Sequence, residues 1–158
     1  MKKLLLLAAL VPVLWFGGRA LLRGLASDEA KIRSRITAAA AAFEAANVSG
    51  VLEAFAEDYR DSTSGADRDA LRTALLYLLL VRKDGVRYRV ECGEPRITLA
   101  PSAKQAGAEW PLTLLVRRGD EPEHEQWKLG VAAELRHGDD GWVFVRSRHE
   151  TVSGARPR

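Results

Sequence analysis

The stretch Gln126-Trp127-Lys128-Leu129-Gly130-Val131-Ala132-Ala133-Glu134-Leu135-Arg136 decides how this chain folds. Trp127, Leu129, Val131, Ala133 and Leu135 alternate strictly with Gln126, Lys128, Gly130, Ala132, Glu134 and Arg136. A period of two belongs to a strand with one face in the core and one in water. Such a strand cannot bury its apolar row alone, so other elements must form a wall against it.

Upstream, Ala108, Trp110, Leu112, Leu114 and Val116 alternate in the same way, with Pro111 asking for an edge or a bulge. Val86, Tyr88, Val90 and Cys92 alternate with Arg87, Arg89 and Glu91, and Ile97 and Leu99 continue the row after a bend at Gly93-Glu94-Pro95. Arg118 to Glu123 reads as a hairpin loop. His137-Gly138-Asp139-Asp140-Gly141 turns the chain into a last strand from Trp142 to about His149.

Helical periodicity precedes the strands. Ile32, Ile36, Ala39, Phe43 and Ala46 recur at three- and four-residue steps, which predicts a helix from Glu29 to about Ala46 with Asp28 as N-cap. Its alanine run, Ala38 to Ala42, favours helix and lets a sheet approach closely. A short second helix, Ser49 to Ala56, is capped by Ser49, and the polar loop Ser62-Thr63-Ser64-Gly65 follows. A third runs from Asp67 to about Arg82; its interior, Ala74 to Val81, is apolar nearly all round and so expects burial on several sides. Helices first and strands afterwards predict an α+β domain: three N-terminal helices on a strongly curved antiparallel sheet of about four strands.

The net charge of +3 is misleading, because Lys2, Lys3, Arg19 and Arg23 lie in the first 26 residues, which hold no acid. Without them the chain carries 20 basic against 21 acidic residues, so nothing supports a nucleic-acid partner. Lys2 and Lys3 precede the uncharged apolar run Leu4 to Gly18, the layout of a secretory or anchoring segment. Two readings follow. One is a single-pass anchor through residues 4–25 of an inner or plasma membrane, with the domain exported to a periplasm or the cell exterior; the other is secretion after cleavage at Gly18-Arg19-Ala20 or Gly24-Leu25-Ala26. The organisation is thus anchor or signal peptide at 1–26, one domain at 27–150 and a flexible tail at 151–158.

Two stretches carry a family resemblance. In Phe43 to Tyr59 a helix breaks at Asn47-Val48-Ser49-Gly50 and resumes as Val51-Leu52-Glu53-Ala54-Phe55-Ala56-Glu57-Asp58-Tyr59, and Asp140-Gly141-Trp142-Val143-Phe144 opens the last strand. With three helices, a strand-like Asp-Tyr link between the second and third, and a meander of strands, the chain resembles the nuclear transport factor two-like superfamily, also called SnoaL-like or ketosteroid-isomerase-like, over Glu29 to Glu150. The resemblance implies a cystatin-like cone, a bent sheet wrapped round a long helix with a cavity between them. It also implies a range of roles, from isomerases, dehydratases and cyclases to protein-binding modules, among which fold alone does not choose.

Enzymes of this kind that move protons use an Asp, His or Tyr in the cavity. The inward rows of the first three predicted strands hold no acid and no histidine. Their polar handles are the Tyr88 hydroxyl, the Cys92 thiol and the indole N–H groups of Trp110 and Trp127, which with Tyr77 form the candidate ligand pocket. A plain aromatic core would present the same residues. Asp58, Tyr59 and Asp61, at the expected mouth, are the candidates for catalysis, though both aspartates equally suit a turn.

His124, His137 and His149 fall in or beside loops and strand ends with no metal-ligand spacing, so neither a metal nor a cofactor is expected. Cys92, the single cysteine, reads as a structural thiol. The expected function is a membrane-tethered, exported, non-catalytic module that binds a protein partner or a small apolar ligand. The alternatives are a small isomerase or lyase using a cavity acid, and a structural homodimer meeting through the outer sheet face, where an exposed Leu115 would favour an interface.

Overall fold

The computed structural model describes residues 27–81, 85–102 and 104–157. The anchor or signal reading of residues 1–26 lies outside them. Among the described residues no helix is long and apolar enough to cross a membrane. The unit Ile32–Arg158 holds the sheet and the sites described below.

Helix α1 is Asp28–Glu44. Ser27, not Asp28, caps it, accepting the Ala30 N–H at 3.2 Å, while Asp28 pairs with Lys31 one turn on. At the far end Ala46 takes a left-handed φ of 53°, and Asn47 N–H and Ala46 N–H donate to the carbonyls of Ala42 and Phe43. That double bond pattern closes the helix as a glycine usually does. Asn47 is thereby released to cap α2, Val48–Leu52, through its side-chain oxygen on Gly50 N–H at 3.0 Å, so the cap expected at Ser49 falls two residues earlier.

The helix expected to continue to Ala56 stops at Leu52, and Phe55–Asp61 is strand β1. The reason is tertiary. β1 pairs in parallel with the last strand, and Phe144 N–H donates to Ala54 C=O at 2.8 Å, satisfying backbone groups that a helix would have satisfied locally. Helix α3, Arg68–Leu76, is capped by Asp67 and continues as a π-helical turn over Tyr77–Val81. It packs against β1 and α2 only on one side. Leu75 is therefore buried, whereas Leu76, Tyr77 and Leu80 are exposed, contrary to the all-round burial expected from their composition.

The strands that follow are β2 (Val86–Cys92), β3 (Arg96–Leu99), β4 (Gln105–Arg118), β5 (His124–Gly138) and β6 (Gly141–Gly154). They form one six-stranded sheet in the order β1-β6-β5-β4-β2, with β3 also on β4, rather than about four strands. Every pair but β1 with β6 is antiparallel. Pro111 does not mark an edge, since β4 has neighbours on both sides. It sits opposite the break between β2 and β3, where its carbonyl accepts Gly93 N–H at 2.8 Å, so its missing N–H falls at a bend and costs no rung with β5. Gly93 is required there, because a Cβ would stand 2.4 Å from Pro111 Cγ.

The core joins Ile32 and Ile36 of α1 to Ala106, Ala108 and Trp110 of β4, Ala133 and Leu135 of β5, and Trp142 and Phe144 of β6. The three alanines leave room for the helix, and Ile32, Leu135 and Trp142 are almost wholly removed from water. On the outer face Leu115 is half-buried, paired across the sheet with Arg89 and Glu125.

Candidate functional site

Between α1, α3 and the concave face of the sheet lies a cavity of about 430 Å³, within the usual range of small-molecule sites. Its walls are almost entirely apolar. Leu112, Leu114 and Leu129 come from the sheet, Ala39 and Phe43 from α1, and Leu78 from the π-helical turn. Among the described residues no carboxylate and no histidine line it.

Of the four pocket residues expected from the sequence, Tyr77, Trp110 and Trp127 line this cavity. Tyr88 does not; its ring packs on Phe43 at 5.9 Å and faces the clefts beside β2. Trp110 is buried and its indole N–H has no hydrogen-bond partner among the described residues. Cys92 also lines the cavity, half-buried, and burial together with the nearby Glu44 carboxylate pushes its thiol pKa up.

The polar residues are gathered next to this apolar chamber. Tyr59 and Asp61 alternate along β1, and the register Asp61 to Ser147 and Phe55 to Phe144 sets them beside β6. Tyr59 Oη and Ser147 Oγ lie 2.6 Å apart, and Ser147 Oγ donates to Asp61 Oδ1 at 3.1 Å. Asp61 Oδ2 accepts Ser64 N–H at 3.0 Å and Ser64 Oγ at 2.5 Å. His149 Nδ1 stands 3.7 Å from Asp61 Oδ1, and its backbone N–H donates to Thr63 Oγ1 at 2.8 Å.

Burial alone would raise the Asp61 pKa, but the Ser64 and Ser147 hydrogen bonds and the His149 imidazole more than offset it and hold the carboxyl below its ordinary range. Burial pushes the Tyr59 phenol the other way, up, against the Ser147 hydrogen bond and with the help of the Asp61 charge. Asp58 is not part of this cluster. It points to solvent and grips Arg136 through two hydrogen bonds of 2.9 and 3.1 Å, which hold its pKa low.

Ser147 and His149 belong to the concave face, because β6 pairs them with Ala133 and Val131. Simple alternation from Trp142 and Phe144 would have put Arg146 and Arg148 there instead. A bulge at Val145 changes the parity: Leu135 pairs with Phe144 but Glu134 with Arg146, so the arginines face outward. His149 therefore sits within a strand, not at the strand end where the sequence placed it. The charge of Arg146 and Arg148 already sets them on the outward row from sequence, and both are exposed; that Ser147 and His149 then face inward follows from the bulge.

Trp127 connects the two halves of the concave face. It lines the apolar cavity, donates its indole N–H to Thr151 Oγ1 at 3.0 Å, and meets the His149 ring edge-to-face at 5.6 Å. Among the described residues no three His, Cys, Asp or Glu side chains come together to hold a metal ion.

A curved sheet of six strands, backed by few helices and hollow on its concave side, is the α+β cone-like class of domain. The profile of the SnoaL-like domain matches residues 25–148, and the chain belongs to that family. No curated protein matches it. Among solved structures it is similar to a nuclear transport factor two-like protein with a cystatin-like fold from Novosphingobium aromaticivorans (18% identity, 89% of this chain and 90% of that one, TM-score 0.66). It is also similar to ActVI-ORFA from Streptomyces coelicolor (16%, 78% and 96%, TM-score 0.66) and to a proposed scytalone dehydratase from N. aromaticivorans (16%, 80% and 87%, TM-score 0.67). Likeness at this level of identity shows the fold alone.

Proposed function

We propose that this SnoaL-like domain is a binding module whose cavity takes a small, largely apolar molecule. The observation that supports this reading is the lining: about 430 Å³ bounded by leucines, alanines and aromatic rings, with no carboxylate and no histidine among the described residues that line it. Asp61 does not argue against it. Its oxygens are engaged by Ser64 and Ser147, and a carboxylate held low is an orienting anion rather than a proton donor near neutrality. The uncharged apolar run Leu4 to Gly18 extends the proposal to a module tethered through residues 4–25 and exported, tested by extracting membranes of the native host with alkaline carbonate.

The binding reading is tested with the full-length chain and Nile red, a neutral apolar dye whose emission rises out of water. Saturable binding that is lost in Ala74→Phe, which fills the cavity from α3, supports the proposal. Binding that survives in a folded Ala74→Phe protein would rule this cavity out.

A second reading rests on His149. It is backed by Asp61 at 3.7 Å and touches Trp127, a wall of the cavity, which suits a small lyase in which His149 moves a proton. The fold shared with a proposed scytalone dehydratase makes scytalone the first compound to try. Dehydration lost in His149→Gln would favour this reading over the first.

A further inference from the structure

We propose that the ligand of this cavity carries a carboxylate: an apolar body held in the chamber, with its anionic end at the mouth on Arg156. The inference rests on the binding-module reading above. Among the described residues Arg156 is the one charged side chain lining the cavity. A smaller cavity of about 310 Å³ shares Arg156 and Pro157 and adds Arg118, again without an acid among the described residues. Neither Arg156 nor Arg118 has a side-chain hydrogen bond or ion pair among the described residues. Arg33, Arg60, Arg89 and Arg136 each face a carboxylate; Arg156 is among the arginines that face none within the described residues, and of these it is the one that stands on the wall of the apolar chamber.

The tail that carries Arg156 is held in place. β6 runs through Gly154, five residues past the strand end at His149 expected from the sequence. Gly154 has φ +73°, and a Cβ there would stand 2.3 Å from Gln126 O, so the turn requires glycine. Ala155 N–H donates to Gln126 O, and Gln126 Nε2 donates back to Ala155 O, both at 3.0 Å. These bonds bring the next two residues, Arg156 and Pro157, over the chamber. A neutral apolar molecule gains only from burial there. A carboxylate at its end adds a charge-assisted, geometrically matched bond to a guanidinium beside apolar walls, whereas an ammonium would be repelled.

The test is calorimetric titration of the full-length chain with biphenyl-4-carboxylate and its neutral isostere biphenyl-4-carboxamide, on wild type, Arg156→Gln and Arg72→Gln. Arg72 lies exposed on α3 and lines neither cavity. The expected result is a carboxylate preference of about tenfold or more in wild type and Arg72→Gln, shrinking below about threefold in Arg156→Gln and in high salt. Equal affinity for acid and amide, or a preference that survives in Arg156→Gln, would overturn the inference and leave the binding module standing. If neither compound binds, the binding reading fails and this inference falls with it.

Discussion

The hydroxyls of Tyr59 and Ser147 lie 2.6 Å apart, and the direction of that hydrogen bond is fixed by what Ser147 does next. Its single proton goes to Asp61 Oδ1, so Tyr59 must be the donor to Ser147. Protons thus run one way, from Tyr59 through Ser147 to the Asp61 carboxylate. The chain of bonds ties β1 to β6 across their parallel pairing and gives Tyr59, Ser147 and Asp61 each a partner.

Asp61 should therefore matter to stability, and its contribution should depend on pH. Its pKa in the folded protein lies below the unfolded value of about 3.9, so the stabilisation is fully present above that value and is lost as pH falls through the folded pKa. Asp61→Ala should cost roughly 2 to 3 kcal/mol at pH 7, because buried donors lose an ionised acceptor. The gap between wild type and Asp61→Ala in urea denaturation should narrow as pH drops below about 4. Asp58→Ala is the contrast. Its exposed pair with Arg136 is screened by solvent, and the denaturation midpoint at physiological salt should not move measurably.

Cys92 should react slowly. Burial first, and the Glu44 carboxylate second, raise its thiol pKa, which leaves little thiolate at pH 7.5. Alkylation by iodoacetamide, followed by mass as a single adduct, should run well below the rate of the urea-unfolded chain and accelerate as pH rises. A ligand in the cavity should slow it further, because Cys92 lines the wall. Equal rates folded and unfolded would contradict the placement.

Leu135 and Leu78 should separate core from cavity wall. Leu135 is 1% exposed, and Leu135→Ala should cost about 2 to 5 kcal/mol by leaving a void. Leu78 is half-buried on a chamber that is already open, so Leu78→Ala should cost clearly less and should change ligand affinity more. Paired thermal and binding measurements on the two variants check this.

Gly154→Ala should release the tail. The left-handed φ and the close approach to Gln126 O leave no room for a methyl group, and the loss should be about 1 to 2 kcal/mol. Hydrogen exchange at Ala155, whose N–H is held by Gln126, should accelerate more than exchange in the central strands.

Much of the framework was determined by local pattern. The alternation of Trp127 to Leu135, and of Ala108 to Val116, marks the inward rows, because period two is a property of the extended backbone itself. Asp67 as a helix cap and the polar turn at Ser62 to Gly65 are legible for the same reason, since each acts through groups within three or four residues. Asp61 and Tyr59 could be singled out as polar residues between two helices, but not told apart from Asp58 by sequence. Only the register of β1 on β6 turns Asp61 toward Ser147 and leaves Asp58 to Arg136 in solvent.

What tertiary structure alone decided depends on partners remote in the chain. The end of α2 at Leu52, the bend that accommodates Pro111, and the left-handed turn at Gly154 each depend on a bond or contact to a distant strand. The bulge at Val145 is the sharpest case. One extra residue exchanges the faces of the stretch that follows as far as Thr151, placing Ser147 and His149 beside Asp61 on the concave side, and periodicity read along one strand cannot show it because a bulge exists only between two.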